Sequence, residues 1–118
     1  MISVRTHAII DYIVGALLIL APFLLGFANG GAAMWVPILL GASIIVYSLL
    51  TRYQLSAAQV IPFQIHLALD AVGGLLLAVS PWLFGFAELV WWPHVLVGLS
   101  ELGVVAMTAK GDPAPRQV

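Results

Sequence analysis

Two stretches of the chain are near-copies of one another: His7–Phe27 reads HAIIDYIVGALLILAPFLLGF, and His66–Phe86 reads HLALDAVGGLLLAVSPWLFGF. His, Asp, Gly, Pro, Gly and Phe recur in the same order and at the same spacing, and each is displaced by 59 positions from its counterpart. A fixed displacement of this kind indicates a duplicated structural unit. Both copies are strongly apolar, so we expect the unit to lie in a membrane.

The composition of the whole chain also places it in a lipid bilayer. Its 118 residues are 63% hydrophobic and 8% charged, and the mean hydropathy is +1.12. A soluble domain cannot cover its surface with so few polar side chains. The net charge of −1, with four scattered Lys and Arg residues, provides no basic face for a nucleic acid. The absence of cysteine excludes disulfides and thiolate metal sites.

Four apolar stretches are long enough to cross the bilayer, and they lie at about 7–27, 34–52, 62–86 and 92–109. Turn residues and polar residues separate them, so each repeat is predicted to be a helical hairpin. We therefore predict an all-α, polytopic membrane protein with four transmembrane helices. Its two hairpins form parallel repeats, related by a pseudo-twofold axis along the membrane normal.

The predicted organisation is a single membrane domain over 1–118 with three parts: repeat one at about 5–53, repeat two at about 62–110, and a flexible tail at 111–118. Close contacts between helices are expected at eight small residues, namely Gly15, Ala16, Gly41, Ala42, Gly73, Gly74, Gly98 and Ser100. The four basic residues fall on the side shared by both termini and the central linker: Arg5, Arg52, Lys110 and Arg116. By the positive-inside rule, both termini are expected in the cytoplasm.

The segment SPWLFGF that begins at Ser80 closely resembles the signature of the SPW-repeat integral membrane proteins. In this small bacterial family, Ser-Pro-Trp falls in the first helix of each two-helix unit. Repeat one reads APFLLGF from Ala21, so it keeps Pro, Gly and Phe but departs at Ser and Trp. The resemblance covers residues 7–108. It implies the fold, the topology and a place in the bacterial inner membrane, and it implies no particular activity.

Proline inside a spanning helix frees the carbonyl four residues earlier, which is Leu18 in repeat one and Leu77 in repeat two. Ser80 is the candidate donor to the freed carbonyl of repeat two. We expect the motif to kink and end the first helix of each repeat. Its residues are Pro22, Gly26, Phe27, Ser80, Pro81, Trp82, Gly85 and Phe86.

His7 and Asp11 are spaced four residues apart, as are His66 and Asp70, so each pair lies on one helix face near the cytoplasmic end. Three interpretations are open, and the third is that the pairs belong to a proton or ion pathway. In the first, each Asp accepts a hydrogen bond from the His of its own helix, and the pair marks the membrane interface. In the second, the first helices of the two repeats face each other, and the four side chains converge on a divalent metal ion such as Zn, Mn or Fe.

Glu101 lies near the middle of the fourth apolar stretch and has no acidic counterpart in repeat one. A charge at the bilayer centre costs roughly 2.5–3.5 kcal/mol on insertion scales, so Glu101 is expected to face the bundle. Its expected partners are Ser43, Ser100 or a carbonyl freed by proline. It serves either to handle a proton or cation or to make a lone interhelical hydrogen bond. His94 is expected to be a solvated residue at the level of the lipid headgroups.

The sequence contains no nucleophile elbow, no His-Glu-x-x-His and no phosphate-binding loop, so catalysis is not expected. We expect a small structural or accessory membrane protein. One alternative is permeation of an ion, proton or small solute by a homo-oligomer that uses Glu101. Another is a metal-binding membrane enzyme or sensor with a divalent metal ion in the His/Asp set. The expected partners are the lipid bilayer and further copies of the chain, whereas nucleic acid is excluded and a protein partner is not specified.

Overall fold

The computed structural model describes residues 2–51, Ala58 and 60–111, of which 109–111 are described as backbone only. This part of the chain forms four helices and no β-strand: α1 (Val4–Leu24), α2 (Ala32–Leu49), α3 (Phe63–Leu83) and α4 (Trp92–Gly111). The predicted all-α membrane fold is therefore confirmed. Helices α1, α2 and α3 are long and apolar enough to cross a membrane, and the apolar part of α4, Trp92–Thr108, is shorter.

Two sequence predictions concern residues outside this description. Residues 112–118 of the predicted tail are not among the described residues. The same holds for three of the four basic side chains on which the predicted orientation rests, namely Arg52, Lys110 and Arg116. The fourth, Arg5, lies in the first turn of α1.

The Pro-x3-Gly-Phe motif ends α1 and α3 in the same way. In repeat one, Gly26 has a φ of +80°, and the Phe27 N–H donates to the Pro22 carbonyl at 2.8 Å. Repeat two reproduces both features at the matching residues, with a φ of +76° and a hydrogen bond of 2.7 Å. This is the hydrogen bond of a Schellman cap, in which a glycine takes the left-handed conformation that other residues adopt at a cost. The prediction that the motif ends the first helix of each repeat is confirmed.

Ser80 makes the hydrogen bond that the sequence predicts for it. Its hydroxyl donates to the Leu77 carbonyl at 2.7 Å, and this is the carbonyl that Pro81 deprives of its usual helical partner. Repeat one has Ala21 at the position of Ser80 and therefore lacks this bond. The Ser80 hydroxyl thus gives the Leu77 carbonyl a hydrogen-bond donor, which the lipid chains cannot provide.

Each hairpin is closed by glycines on both of its helices. A Cβ added at Gly41 would lie 2.6 Å from the Gly15 carbonyl oxygen, and one added at Gly98 would lie 2.6 Å from the Gly74 carbonyl oxygen. The backbones of α1 and α2, and of α3 and α4, therefore touch directly, as predicted for these small residues. Between the hairpins, the more extensive contact is the one between α2 and α3.

Three buried apolar layers fill the bundle. They follow one another along the bundle, starting at the N-terminal ends of α1 and α3. The first layer is Ala8 and Phe63, the middle layer is Leu18, Ile44 and Leu77, and the last layer is Phe27, Ala33 and Phe86. Most other large apolar side chains are exposed on the outside of the bundle, as expected for helices that face lipid. His7 and His66 pack against Phe63 of the first of these layers, with ring centroids 5.6 Å and 5.7 Å away.

Candidate metal centre

The two His–Asp pairs meet between α1 and α3. His7 Nε2 lies 2.7 Å from Asp70 Oδ2, and His66 Nε2 lies 2.5 Å from Asp11 Oδ2. Within each helix, the distance from Nε2 to the Oδ2 of the nearby Asp is 3.2 Å. One candidate ligand atom from each of the four residues lies within 4.8 Å of all the others. These four residues are referred to below as the His–Asp cluster.

The cluster is fully buried, since none of its four side chains is more than 1% exposed. The predicted convergence of His7, Asp11, His66 and Asp70 between the first helices is therefore confirmed. The contact of each His with the Asp of its own helix is also present, at the longer distance of 3.2 Å. The short hydrogen bonds run between the repeats, because each imidazole reaches across to the carboxylate of the other helix.

A threonine holds each histidine at its other ring nitrogen; Thr108 lies in α4, and Thr51 lies two residues after the end of α2. His7 Nδ1 lies 2.9 Å from Thr108 Oγ1, and His66 Nδ1 lies 2.7 Å from Thr51 Oγ1. Each threonine hydroxyl donates its single proton to the carbonyl four residues earlier in the chain, at 2.7 Å and 2.6 Å respectively. The threonine oxygen must then accept a hydrogen bond from Nδ1–H, so the proton of each neutral imidazole is on Nδ1.

This tautomer leaves Nε2 of each neutral imidazole with a lone pair directed at a carboxylate oxygen. Two acceptors at 2.5–2.7 Å repel each other unless a cation lies between them. Either a proton on each Nε2 or one shared metal ion removes the repulsion. The two carboxylates carry two negative charges, which two protons or one divalent ion would balance.

Tyr47 breaks the symmetry of the cluster. Its hydroxyl donates to Asp70 Oδ1, whereas Asp11 Oδ1 has no hydrogen-bond partner among the described residues. The position in α4 that corresponds to Tyr47 is Val104, which cannot donate. One carboxylate is therefore fixed at both oxygens and the other at one.

Sequence reasoning missed Thr51, Thr108 and Tyr47. Thr51 and Thr108 are 57 positions apart in the sequence, as are Gly41 and Gly98. An alignment of the second half of each repeat could therefore have revealed the two threonines. Tyr47 has no counterpart in repeat two and therefore leaves no signal in the repeat.

Glu101 is buried, with 2% of its surface exposed, as the sequence predicts. The predicted partners are wrong. Ser43 donates to the Leu39 carbonyl at 2.8 Å, and Ser100 donates to the Leu96 carbonyl at 2.7 Å. A helical serine readily satisfies its hydroxyl on the carbonyl one turn earlier, so neither serine is available to Glu101. Neither carboxylate oxygen of Glu101 has a hydrogen-bond partner within the described chain.

The prediction that His94 is solvated is also wrong. His94 is 1% exposed, and its Nε2 donates to the Ala33 carbonyl at 2.9 Å. Its ring packs against Phe27 and Phe86, with centroid distances of 5.3 Å and 4.8 Å. These phenylalanines follow the C-terminal ends of α1 and α3 and cover the ring. His94 therefore belongs to the contact between the repeats at the end of the bundle opposite the His–Asp cluster.

The family model of the SPW repeat domain matches residues 5–108, which include the whole His–Asp cluster and both of its threonines. The chain belongs to the SPW repeat family. The resemblance carried by the segment from Ser80 is thereby confirmed. No curated protein and no solved structure matches the chain.

The motif that gives the SPW repeat its name lies at the C-terminal end of α3, away from the cluster. Ser80 and Pro81 are buried, whereas Trp82 is 60% exposed and lies 6.4 Å from the ring of Trp91. The hydrogen bonds described for the motif lie at the end of α3, and the Trp82 ring lies on the outside of the bundle. The ionisable groups that meet in this SPW repeat protein belong to the other end of its repeats.

Proposed function

We propose that this small membrane protein binds one divalent metal ion in the His–Asp cluster and that the ion joins its two repeats. The observation that carries the proposal is the meeting of two imidazoles and two carboxylates from both repeats within 4.8 Å. Zinc binds His nitrogen and Asp oxygen at about 2.0–2.2 Å, so a tetrahedral site separates its ligand atoms by roughly 3.3–3.6 Å. The contacts within each helix, at 3.2 Å, are close to this separation. The contacts between the helices, at 2.5 Å and 2.7 Å, need to lengthen by roughly 0.6–1.1 Å to reach it.

The surroundings of the cluster also support a metal site. Metal-binding histidines usually donate their second ring N–H to an oxygen that fixes the tautomer and the ring orientation, as Thr51 and Thr108 do here. A divalent ion with two carboxylates and two neutral imidazoles has no net charge. Neutrality favours burial of the site in an apolar bundle, where unbalanced charge is costly.

A closed site of this kind favours a structural or accessory role over catalysis. Structural zinc sites are enclosed by their protein ligands, whereas catalytic ones keep a position open to substrate. All four cluster side chains are buried among the described residues, which supports a structural site rather than a catalytic one. We place the protein in the bacterial inner membrane, with both termini and the cluster end of the bundle on the cytoplasmic side. The positive-inside rule and the family resemblance support this placement.

Metal analysis of the purified full-length protein tests the proposal. We expect about one equivalent of Zn²⁺ after loading and removal of free metal, and loss of that metal in the double variant Asp11→Asn/Asp70→Asn. His94→Gln is the matched control, because it removes a buried histidine outside the cluster and should retain the metal. Metal content that is equal in the wild type and in the double variant would refute the proposal.

A further inference from the structure

A cavity of about 370 Å³ lies between α2 and α3, next to the His–Asp cluster. Its lining includes Val72, which is 66% exposed, so the cavity opens on the outside of the bundle. Four of the lining side chains bring polar atoms, namely Ser43, Tyr47, Asp70 and Glu101, and the others are apolar or glycine. This size and this balance of apolar and polar groups are typical of sites for small organic molecules.

Glu101 reaches the cavity from α4 because α3 has no side chain at Gly74. A Cβ added at Gly74 would lie 3.0 Å from Glu101 Cβ. Glu101 is 2% exposed, and neither of its carboxylate oxygens has a hydrogen-bond partner in the part of the chain that the structure describes. None of the described residues that line the cavity is Lys or Arg. The cavity therefore contains an acidic group without a counterion.

The other polar groups of the lining are already engaged. The Tyr47 hydroxyl donates to Asp70, and the Ser43 hydroxyl donates to the Leu39 carbonyl. The cavity is also wide beside Gly73, where a Cβ would meet only Leu40, at 3.9 Å. Among the described side chains of the lining, Glu101 is therefore the polar one whose oxygens have no hydrogen-bond partner.

We infer that this cavity binds a lipophilic organic cation, such as a tertiary or quaternary amine. The cationic head pairs with the Glu101 carboxylate, and the apolar body fills the groove between α2 and α3. Opposite charges attract strongly where the surroundings are apolar. A bare metal ion fits less well, because hard cations require several oxygen ligands and the lining offers one unpartnered carboxylate. The inference does not depend on metal in the His–Asp cluster, of which Glu101 is not a member.

Calorimetric titration of the full-length protein in lipid nanodiscs tests the inference. The probes are 4-phenylbutyltrimethylammonium and its neutral isostere, in which carbon replaces the quaternary nitrogen. We expect the cation to bind the wild type at least about tenfold more tightly than the isostere, and Glu101→Gln to abolish that preference. Equal affinity of the two probes for the wild type, or an unchanged preference in Glu101→Gln, would overturn the inference.

A second variant tests the location without altering the carboxylate. Gly73→Leu should fill the cavity and weaken cation binding at least about tenfold, whereas Gly103→Leu adds the same side chain where no atom lies within 4 Å and should not. Unchanged cation affinity in Gly73→Leu would overturn the assignment to this cavity. Metal content is measured on the same samples. Cation binding without metal would overturn the proposed function alone, and metal without a preference for the cation would overturn this inference alone.

Discussion

Replacing Thr51 by valine, which removes a hydroxyl and keeps the shape, is expected to weaken metal binding by the His–Asp cluster. Thr51 Oγ1 accepts the His66 Nδ1–H bond at 2.7 Å, and both side chains are fully buried. Valine takes this acceptor away from the His66 N–H when the metal fixes the imidazole ring. A buried donor left unpaired costs about 1–3 kcal/mol, which corresponds to a rise in Kd of roughly 5- to 150-fold. Changes to the outer partners of metal ligands typically cost about 10- to 100-fold, within the same range.

The assay is competition for Zn²⁺ between the purified protein and a chromophoric chelator. Thr51→Ser keeps the hydroxyl and should retain most of the wild-type affinity, and Thr108→Val should repeat the loss at the other histidine. Ser48→Ala is the matched control, because this buried hydroxyl near the end of α2, three residues before Thr51, has no hydrogen-bond partner among the described residues. Wild-type affinity in Thr51→Val, or an equal loss in Ser48→Ala, would refute the role of the threonine.

Three further changes concern the free energy of unfolding, measured in detergent. Gly98→Ala should lower it by about 1–3 kcal/mol, because the new Cβ would lie 2.6 Å from the Gly74 carbonyl oxygen. Gly103→Ala is the control, because its new Cβ would meet no atom within 4 Å. An equal loss of stability in the two variants would contradict the packing argument. Gly85→Ala should cost about 1–2 kcal/mol, since it places a side chain at a φ of +76°, and unchanged stability would count against the cap. Glu101→Leu should raise stability by up to about 3 kcal/mol by removing an unpartnered buried carboxylate, and a lower stability would show that Glu101 has a partner.

The duplication predicted much of the cluster before the structure. Equal spacing of His7 and Asp11 and of His66 and Asp70 places the pairs at equivalent positions, and a twofold arrangement of the repeats then brings them together. The sequence could not predict which His bonds to which Asp. That pairing depends on the separation and rotation of α1 relative to α3, which the spacing along one helix does not encode.

The sequence predictions for single polar residues were less reliable, for local physical reasons. Ser43 and Ser100 were assigned to Glu101, but each satisfies its hydroxyl within its own helix. His94 was expected in solvent because it follows a loop. The rings of Phe27 and Phe86, which come from different repeats, bury it. Contacts between distant segments decide burial at such positions, and a hydropathy pattern does not report them.

The visible absorption spectrum of the Co²⁺-loaded protein tests the metal site most directly, because tetrahedral Co²⁺ absorbs far more strongly than the octahedral aqueous ion. We predict about one equivalent of Co²⁺ with a tetrahedral spectrum in the wild type. Zn²⁺ should displace it, and Asp70→Asn should abolish the spectrum. Binding of less than about a tenth of an equivalent under metal-replete conditions, or an unchanged spectrum in Asp70→Asn, would contradict a metal site in the His–Asp cluster.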